Sequence, residues 1–343
     1  MSDYTINIIG YGYVGGAMGH LCKLNNIRFN VYDTIPKDTP YYFSQLKEMV
    51  LNSECSRGNS LNVYFICVPT PSKDNGNSDD RHGDCDTSIV MTVIDQLNEY
   101  VTENSVVILK STVTPGTSNG INSKVTNKNL KFLFCPEFLR EVSFLDDIAN
   151  ADFVLLGTGD GDSNIDDSTK TQLTRVFKDM YRHKEGTYRH KEGTYRHKEG
   201  TYRHKEGTDR HKEGDNDTDI DVIFEEYTIC EMFKYTVNVY LATKVWYFNE
   251  IHQICDSFGI EYDKLRNLFK LESRIGESHT QVPGPDGKMG FGGKCLVKET
   301  KGMARLQERL GLPNHILRDI LLRNKKLRNN TTIENGMTNM HID

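Results

Sequence analysis

A glycine-rich turn close to the start of the chain restricts its fold more than any other feature. The apolar run Tyr4–Ile9 predicts a β-strand, and the turn GYGYVG at 10–15 follows it directly. A helix is predicted from there to about Asn26, and residues 28–33 alternate like a second strand that ends on Asp33. Strand, glycine turn, helix and strand form a βαβ unit. The acid about 20 residues after the turn completes the spacing that is typical of dinucleotide-binding folds.

The turn and the acid predict how a dinucleotide would bind. Glycines let the backbone approach a pyrophosphate at a helix N-terminus, where unpaired N–H groups favour an anion. The cofactor-binding positions predicted in the turn are Gly10, Gly12, Tyr13, Val14 and Gly15. Asp33 can accept hydrogen bonds from the adenine ribose hydroxyls, and its charge would repel a 2′-phosphate, so NAD is favoured over NADP. The alternative is a tight turn in which the glycines serve packing alone.

The chain then predicts further strands in alternation with helices. The strands are Val63–Val68, Val106–Lys110, Lys131–Cys135 and Phe153–Gly157, and the helices are Thr87–Tyr100 and Lys170–Met180. Such alternation is typical of an α/β fold with a Rossmann-like, doubly wound parallel sheet.

A helical region follows the predicted sheet. Residues from Glu225 to about Phe258 include no Pro or Gly and place apolar side chains near helical spacing, which predicts one long connecting helix. The glycine-rich segment Gly284–Gly293, Cys295 and two shorter helices to about Arg328 come next. We predict an NAD-binding domain, a low-complexity insertion, a helical substrate-binding and dimerisation domain, and a polar tail. Their boundaries are 1–180, 181–215, 216–328 and 329–343.

The insertion consists of copies of the heptad YRHKEGT between residues 181 and 214. Each copy carries Gly and lacks the apolar pair that a coiled coil needs, so disorder is the predicted state. Two alternatives stay open: the repeated histidines binding a transition metal, and the Tyr, Arg and Lys side chains binding a polyanion such as RNA.

Composition excludes several classes of protein. No apolar run approaches the roughly 20 residues of a membrane span, and no secretory signal is recognised. The formal net charge of −6 argues against a basic nucleic-acid binder. The eight cysteines include no CxxC pair, which predicts no metal site and indicates reduced thiols in the cytoplasm.

Cys295 is the cysteine whose surroundings suggest chemistry. It lies in GFGGKCLVKE at 290–299, where glycines allow a ligand to approach closely. Lys294 and Lys298 would favour a nucleophilic thiolate. The alternative is a packed cysteine in a flexible loop.

Eight segments occur in the order found in one known family, and the chain resembles that family over about residues 4–300. They are GYGYVG at 10–15, FICVPTP at 65–71, KSTVTPGT at 110–117, CPEFLRE at 135–141, EMFKYTVN at 231–238, FNEI at 248–251, SRIG at 273–276 and VPGPDGKMGFGGKC at 282–295. The family is that of the UDP-glucose/GDP-mannose dehydrogenases.

The resemblance implies oxidation of the C6 alcohol of a nucleotide sugar to the carboxylate with two NAD. UDP-glucose giving UDP-glucuronate is the first expectation, and GDP-mannose or a UDP-N-acetylhexosamine are the alternatives. It further implies that Cys295 forms a thiohemiacetal and then a thioester, which water hydrolyses. A homodimer packed through the long helix is also expected.

Roles for other residues follow from the same resemblance. Lys234 and Asn238, one helical turn apart, would stabilise an oxyanion near C6. Of Glu137 and Glu141, one would transfer a proton during thioester hydrolysis and the other would contact the sugar nucleotide. Thr112 would position water or the nicotinamide.

The remaining implied positions concern binding. The cofactor would also be contacted by Thr70, Lys37 and Lys298. The substrate would be contacted by Phe138, Leu139, Arg140, Arg274, Gly290, Phe291 and Gly292, with Arg274 reaching the phosphates of a neighbouring subunit's ligand in some relatives.

The chain departs from the family pattern in three places. The family reads CFPKD at its cysteine, whereas this chain reads CLVKE and so places Glu299 where an aspartate orients water or the nucleophile. Phe153 stands where the family usually has Arg. The family's further Rossmann-like domain after the cysteine is expected to be absent here, which leaves open a catalytically silent relative that binds NAD or a partner.

Overall fold

The computed structural model describes residues 3–54, 61–73, 84–140, 143–159, 165–182, 220–313 and 315–329. The predictions for Glu141, for nearly all of the heptad insertion and for the tail from residue 330 lie outside these residues. The chain divides into two compact units, which we call the sheet unit and the helical unit. The sheet unit comprises Met1–Val68, Val93–Lys110 and Lys124–Glu226, and the helical unit comprises Pro69–Thr92, Ser111–Ser123 and Tyr227–Asp343.

The sheet unit contains one eight-stranded sheet in the described part of the chain. Its strands are β1 (Tyr4–Ile9), β2 (Phe29–Tyr32), β3 (Tyr42–Phe43), β4 (Leu61–Ile66), β5 (Ser105–Leu109), β6 (Leu130–Phe134), β7 (Phe153–Thr158) and β8 (Asp221–Glu226). They lie in the order β3-β2-β1-β4-β5-β6-β7-β8, and the first six are mutually parallel. The order 3-2-1-4-5-6 is that of a doubly wound dinucleotide-binding sheet, so the predicted fold class is confirmed.

Burial on both faces explains the apolar strand sequences. Every residue of β4 is buried, and Ile6, Ile8, Val31 and Phe65 are wholly shielded from solvent. Parallel strands covered by helices on both faces read as continuous apolar runs rather than alternating ones. Several predicted strands begin one or two residues later than the observed ones, because residues such as Ser105 and Leu130 pair at the start of β5 and β6.

One strand pair departs from the predicted all-parallel sheet. β7 runs antiparallel to β6, and β8 runs parallel to β7. The described residues of the connection from β6 to β7 include the six-residue helix α5 (Phe144–Ala149). A parallel neighbour needs a crossover that carries the chain back along β6, and β7 instead pairs in the opposite direction, with Gly157 beside Phe134.

The helices are as follows. Those besides α5 are α1 (Tyr13–Leu24), α2 (Leu46–Glu54), α3 (Ser88–Tyr100), α4 (Ser118–Asn122), α6 (Asp167–Met180), α7 (Tyr227–Phe258), α8 (Tyr262–Phe269), α9 (Lys294–Arg309) and α10 (His315–Asn329). In the described part of the chain, no helix has the length and apolar character that crossing a membrane requires.

The long predicted helix is present as α7, of 32 residues. Its predicted start at Glu225 is wrong, because Glu225 and Glu226 end strand β8. Residues 222–224 are Val, Ile and Phe, which favour an extended strand, and the strand pairs along its whole length with β7. The heptad insertion therefore falls between α6 and the last strand of the sheet.

The helical unit has small apolar clusters of its own. Phe248 of α7 packs with Tyr262 and Phe269 of α8 in one cluster. Ala242 of α7, Phe291 and Ile320 of α10 form another. These contacts fix the buried face of α7, and thereby the direction in which its polar side chains point.

Candidate functional site

The glycine turn after β1 combines two glycines required for packing with one that faces open space. Gly10 has φ +85°, and a Cβ there would lie 2.9 Å from the Cys67 carbonyl oxygen. A Cβ on Gly15 would lie 2.0 Å from the Gly10 carbonyl oxygen. Gly12 has no described atom within 4 Å of the position of a Cβ. Packing alone therefore accounts for Gly10 and Gly15, whereas Gly12 leaves room for a ligand to reach the backbone.

A cleft of about 450 Å³ opens at this turn and is lined by Gly12, Tyr13, Gly16 and Phe144, among others. Helix α1 begins at Tyr13, and its first turn has no acidic residue. Its unpaired N–H groups and helix dipole therefore favour an anion at the cleft. An open cleft at a helix N-terminus is the kind of site that a pyrophosphate requires.

Asp33 is held beside the turn. Its Oδ2 accepts a hydrogen bond from the Tyr11 N–H at 2.6 Å, and its Oδ1 accepts one from the Ile35 N–H at 2.9 Å. The Lys37 ammonium lies 3.6 Å from Oδ2. A carboxylate has about four acceptor positions, so Asp33 keeps capacity for ribose hydroxyls. In the part of the chain that the structure describes, Lys37 contacts the predicted site through this ion pair with Asp33.

The ends of β5 and β6 bring a second group of polar side chains together in the sheet unit. The Lys110 Nζ lies 3.2 Å from Glu137 Oε2 and 3.3 Å from Cys135 Sγ. Burial by itself would lower the pKa of Lys110, but Cys135 and Glu137 outweigh it and the pKa is raised. Burial raises the pKa of the Cys135 thiol, and the neighbouring Lys110 ammonium opposes that shift. The sequence analysis did not assign Lys110; a lysine directly after the buried run of β5 was the available signal.

The loop after Glu137 is anchored by an ion pair. The Arg140 guanidinium contacts the Asp147 carboxylate at 2.5 to 3.2 Å, and the Arg140 N–H donates to it at 2.7 Å. The Phe138 and Phe153 rings lie 5.9 Å apart, so the residue at the family's arginine position packs against this loop. Arg140 thus orders the loop, and Leu139 lines a second cavity, which Lys110 and Glu137 also line.

In the helical unit, α9 presents the predicted nucleophile at its start. Gly293 caps the helix with φ +74°, Lys294 is its first residue and Cys295 its second. Cys295 is exposed, at the end where the helix dipole favours negative charge. Glu299, one turn further, is 1% exposed.

Three predicted catalytic residues of this unit lie together where α7 packs against α9, the helix of Cys295. Asn238 of α7 donates through Nδ2 to Glu299 Oε2 at 2.8 Å, and Lys234 of α7 is buried nearby. Burial raises the pKa of Glu299, while Lys234 and the Asn238 hydrogen bond act in the opposite direction. We call Lys234, Asn238 and Glu299 the oxyanion cluster.

The predicted cofactor residues of the helical unit are also joined. The Thr70 hydroxyl donates to the Thr112 carbonyl oxygen at 2.6 Å. Lys298 donates to the Thr70 carbonyl oxygen and lies 3.1 Å from its hydroxyl. Lys298 follows Cys295 by three residues on α9, so these contacts fix the segment of Thr70 and Thr112 to the cysteine's helix.

Glu231 is a buried acid that the sequence analysis did not assign. Its carboxylate accepts hydrogen bonds from the N–H groups of Gly116 at 2.6 Å and Ser118 at 2.7 Å. Burial raises its pKa, and these hydrogen bonds lower it in part. Because Glu231 precedes Lys234 by one turn of α7, it ties the loop after Thr112 to the same helix.

The glycine segment before Cys295 is held by asparagines. Asn249 accepts from the Gly290 N–H at 2.8 Å, and Asn324 bonds to both the N–H and the carbonyl of Phe291. The Phe291 ring is buried in the core, so Phe291 can meet a ligand only through its backbone. A Cβ on Gly292 would lie 2.7 Å from the Arg328 guanidinium. Arg274 is apart from this group, on an exposed turn where it pairs with Glu272.

Two family models match the chain. The model of the NAD binding domain of the UDP-glucose/GDP-mannose dehydrogenase family matches residues 21–183, and that of the family's central domain matches residues 228–326. Together they cover well over half of the chain. The first match begins after the glycine turn at 10–15. The interpretation of that turn therefore depends on the contacts described above and not on the family model.

Curated relatives match over most of the chain at low identity. The UDP-glucose 6-dehydrogenase of Rickettsia conorii is 25% identical over 94% of this chain and 67% of its own length. A UDP-glucose 6-dehydrogenase of Bacillus subtilis is 24% identical over 88% of this chain and 61% of its own length. The chain thus spans about two thirds of the length of these relatives.

Solved structures share the fold. A UDP-glucose dehydrogenase from Pyrobaculum islandicum superposes with a TM-score of 0.66 at 21% identity, covering 94% of this chain and 68% of that one. The 3-hydroxyisobutyrate dehydrogenase of Mycobacterium tuberculosis gives 0.62 at 14% identity, covering 94% of this chain and 92% of that one. At these identities the likeness describes architecture and leaves the substrate open.

Proposed function

This chain belongs to the UDP-glucose/GDP-mannose dehydrogenase family, with NAD as its cofactor, and from that premise we propose that it oxidises the C6 alcohol of a nucleotide sugar to the carboxylate. UDP-glucose is the proposed substrate and UDP-glucuronate the product. The observation that carries the proposal is the oxyanion cluster beside the helix of Cys295, where Asn238 and Glu299 share a 2.8 Å hydrogen bond. A buried lysine, amide and carboxylate behind an exposed thiol suit an oxidation through a covalent adduct.

The first oxidation needs stabilisation of negative charge on the C6 oxygen. The Lys234 ammonium and the Asn238 amide are buried donors on one face of α7. Their desolvation strengthens their interaction with a developing oxyanion. Glu299 accepts a hydrogen bond from one N–H of the Asn238 amide. This bond orients the amide and leaves its second N–H to donate to the substrate.

The second oxidation uses Cys295 as nucleophile. Its sulfur adds to the aldehyde carbon and forms a thiohemiacetal, whose carbon then gives up hydride and becomes a thioester. Bound NAD supplies the hydride acceptor for each oxidation. Water attacks the thioester carbon, its proton passes to a carboxylate, for which the family resemblance offers Glu137 and Glu141, and the carbon–sulfur bond breaks to release the carboxylate and regenerate the thiol.

The residues proposed to hold NAD fall into two groups, each within one unit: those of the glycine turn in the sheet unit, and Thr70, Thr112 and Lys298 in the helical unit. Gly12 and the start of α1 would receive the pyrophosphate, and Asp33 the adenine ribose. Thr70, Thr112 and Lys298 would lie against the nicotinamide half.

A homodimer through α7 is part of the proposal. Phe233, Tyr240, Tyr247 and Ile254 are all exposed and recur every seven residues along the helix. This spacing places them on one face, an apolar stripe that a second copy of α7 would cover. The exposed Arg274 would then be available to the neighbouring subunit. We expect Tyr247→Asp to shift the molar mass in light scattering from dimer to monomer; an unchanged mass would remove α7 from the interface.

Two alternatives are distinguished by a substrate panel. The purified chain is incubated with NAD and, separately, UDP-glucose, GDP-mannose and a UDP-N-acetylhexosamine, while NADH absorbance is followed. NADH with UDP-glucose above the other sugars supports the proposal, and preference for another sugar changes the substrate but keeps the chemistry. NAD binding, measured by calorimetry, without NADH from any sugar indicates a catalytically silent relative.

A further inference from the structure

Two polar side chains of helix α10 have no role in the chemistry described above. Asn324 and Arg328 are four residues apart, so they lie on the same face of the helix. Asn324 is 5% exposed, and the side chain of Arg328 is 22% exposed. Polar groups withdrawn from water in this way need hydrogen-bond partners. Both residues have them in the glycine-rich segment that precedes Cys295, within the same helical unit.

Asn324 fixes the backbone of Phe291 at two points. Its Oδ1 accepts a hydrogen bond from the Phe291 N–H at 2.8 Å, and its Nδ2 donates to the Phe291 carbonyl oxygen at 2.9 Å. The preceding residue is held from α7, because the Gly290 N–H donates to Asn249 Oδ1 at 2.8 Å. Satisfied hydrogen bonds that are shielded from water rigidify the groups they join. The backbone at 290–291 is therefore fixed by two helices.

Arg328 contacts the same segment at two further points. Its Nη2 donates to Asp286 Oδ2 at 2.7 Å. Its guanidinium also lies against Gly292, where an added Cβ would come within 2.7 Å of it. A glycine at 292 thus lets the guanidinium approach the backbone closely. We call Asn324 and Arg328 the α10 clamp.

The residues that follow Cys295 are anchored at α10 as well. Leu296 and Val297 pack against the apolar cluster that includes Phe291 and Ile320. Cys295 itself is exposed, as the second residue of α9. It therefore lies between two stretches of backbone that are both fixed against α10.

We propose that Asn324 and Arg328 are positioning residues, which hold the glycine segment so that Cys295 stays in the first turn of α9. The inference deepens the proposed function and rests on it, because Cys295 is the proposed nucleophile. The clamp acts through the backbone of the segment. It keeps the sulfur at the end of the helix where the dipole favours a thiolate.

The pH profile of Cys295 alkylation tests the clamp without any turnover. Iodoacetamide reacts with the thiolate, and mass spectrometry of the Cys295 peptide gives the rate at each pH. Asn324→Ala removes both hydrogen bonds to Phe291. The midpoint of the profile should then rise by about half a pH unit, the size of a helix-dipole contribution. Lys294 and Lys298 are kept in every variant, so their charges do not cause the shift.

Two variants of Arg328 test the other half of the clamp. Arg328→Met removes the ion pair with Asp286 and keeps the apolar stem, so it reports even if Asn324→Ala fails to fold. The midpoint should move in the same direction as in Asn324→Ala. Arg328→Lys keeps a cation beside Asp286 and should give a smaller shift than Arg328→Met.

Two controls separate positioning from a general loss of stability. Lys326→Met removes a cation from an exposed position of α10. Leu97→Ala opens a cavity in the sheet unit, where Leu97 is fully buried, and should lower Tm. Neither control should move the midpoint for Cys295.

The results distinguish this inference from the function on which it rests. A higher midpoint in the folded clamp variants, with no shift in the controls, supports the positioning role. An unchanged midpoint in those variants, or an equal shift in the controls, overturns it, and NADH formation by the wild-type chain would then leave the proposed function intact. If the midpoint moves as expected but no sugar gives NADH, the clamp on Cys295 stands and its catalytic use fails.

Discussion

The nucleotide cleft of the sheet unit and the oxyanion cluster of the helical unit are built in different ways. In the cleft, the groups proposed to face the ligand are backbone N–H groups, and the open space at Gly12, which has no side chain, is what would let the ligand approach them. In the cluster, the working groups are side chains from helices α7 and α9, joined by contacts such as Asn238 to Glu299 at 2.8 Å. A backbone site should tolerate many substitutions but no added Cβ. A side-chain site should depend on the length of each side chain.

The largest expected effect is the loss of Lys234. Lys234→Met keeps the apolar stem and removes the ammonium, so we expect kcat to fall by about 10²–10³-fold, the effect of losing one oxyanion donor. Steady-state NADH formation measures it. Lys244→Met is the control on the same helix, because Lys244 donates to the Ile275 carbonyl oxygen outside the cluster. Equal losses of kcat in the two variants would mean that the loss comes from disturbing helix α7 and not from removing the Lys234 ammonium.

Shortening Glu299 is the next test of length dependence. Glu299→Asp restores the family's residue type but withdraws the carboxylate by about 1.5 Å from Asn238, and roughly a tenfold to hundredfold loss of kcat is expected. The measurement is NADH formation, beside Tm to show that the fold is intact. A higher kcat for Glu299→Asp would contradict this prediction, because it would mean that the oxyanion cluster does not need the longer side chain of glutamate to reach Asn238.

Paired glycine substitutions sharpen the contrast from the other side. Gly12→Ala meets open space, so Tm should hold while the Kd for NAD rises about tenfold because the backbone approach is blocked. Gly15→Ala forces a Cβ against the Gly10 carbonyl and should cost about 1–3 kcal/mol of unfolding free energy. Calorimetry with NAD and thermal unfolding separate the two. A lower Tm for Gly12→Ala with an unchanged Kd for NAD would mean that the glycines of the turn serve packing alone.

The smallest effect expected is on the pH dependence of stability. Burial raises the pKa of Glu299 in the folded chain, with Lys234 and Asn238 opposing it. A carboxyl with a raised folded pKa contributes stability that is present below its unfolded pKa and is lost as pH rises through the folded value. The unfolding free energy of Glu299→Gln should therefore improve relative to wild type over the pH range that begins at the ordinary carboxyl pKa of about 4 and extends upward through the raised folded value. Urea unfolding across that range tests this, and a constant difference would contradict it.

Sequence patterns predicted the cleft far better than the cluster. The turn, Asp33 and α1 lie within 30 residues and obey one local rule, which the first strands of the sheet confirm. Asn238 and Glu299 are brought together only by the packing of two helices, and no spacing predicts that. They were identified through the family resemblance. Lys110 was missed for the same reason, because its partner Glu137 lies on the neighbouring strand's extension.

The differences in the sheet have a similar cause. The short helix α5 was not predicted, and without it the reversal of β7 cannot be seen in the sequence. The last two residues of β8, Glu225 and Glu226, were assigned to the predicted long helix because neither Pro nor Gly separates the strand from it. Its pairing with β7 is a long-range contact across the insertion.

The most direct test of the account is the number of NADH formed per UDP-glucose consumed, measured for the wild-type chain and for Cys295→Ala. The account predicts two NADH per sugar for the wild type and no such stoichiometry for the variant, since the second hydride leaves from the cysteine adduct. One NADH per sugar in both proteins, or none while NAD still binds, would contradict the claim that Cys295 and the oxyanion cluster carry out a four-electron oxidation in this chain.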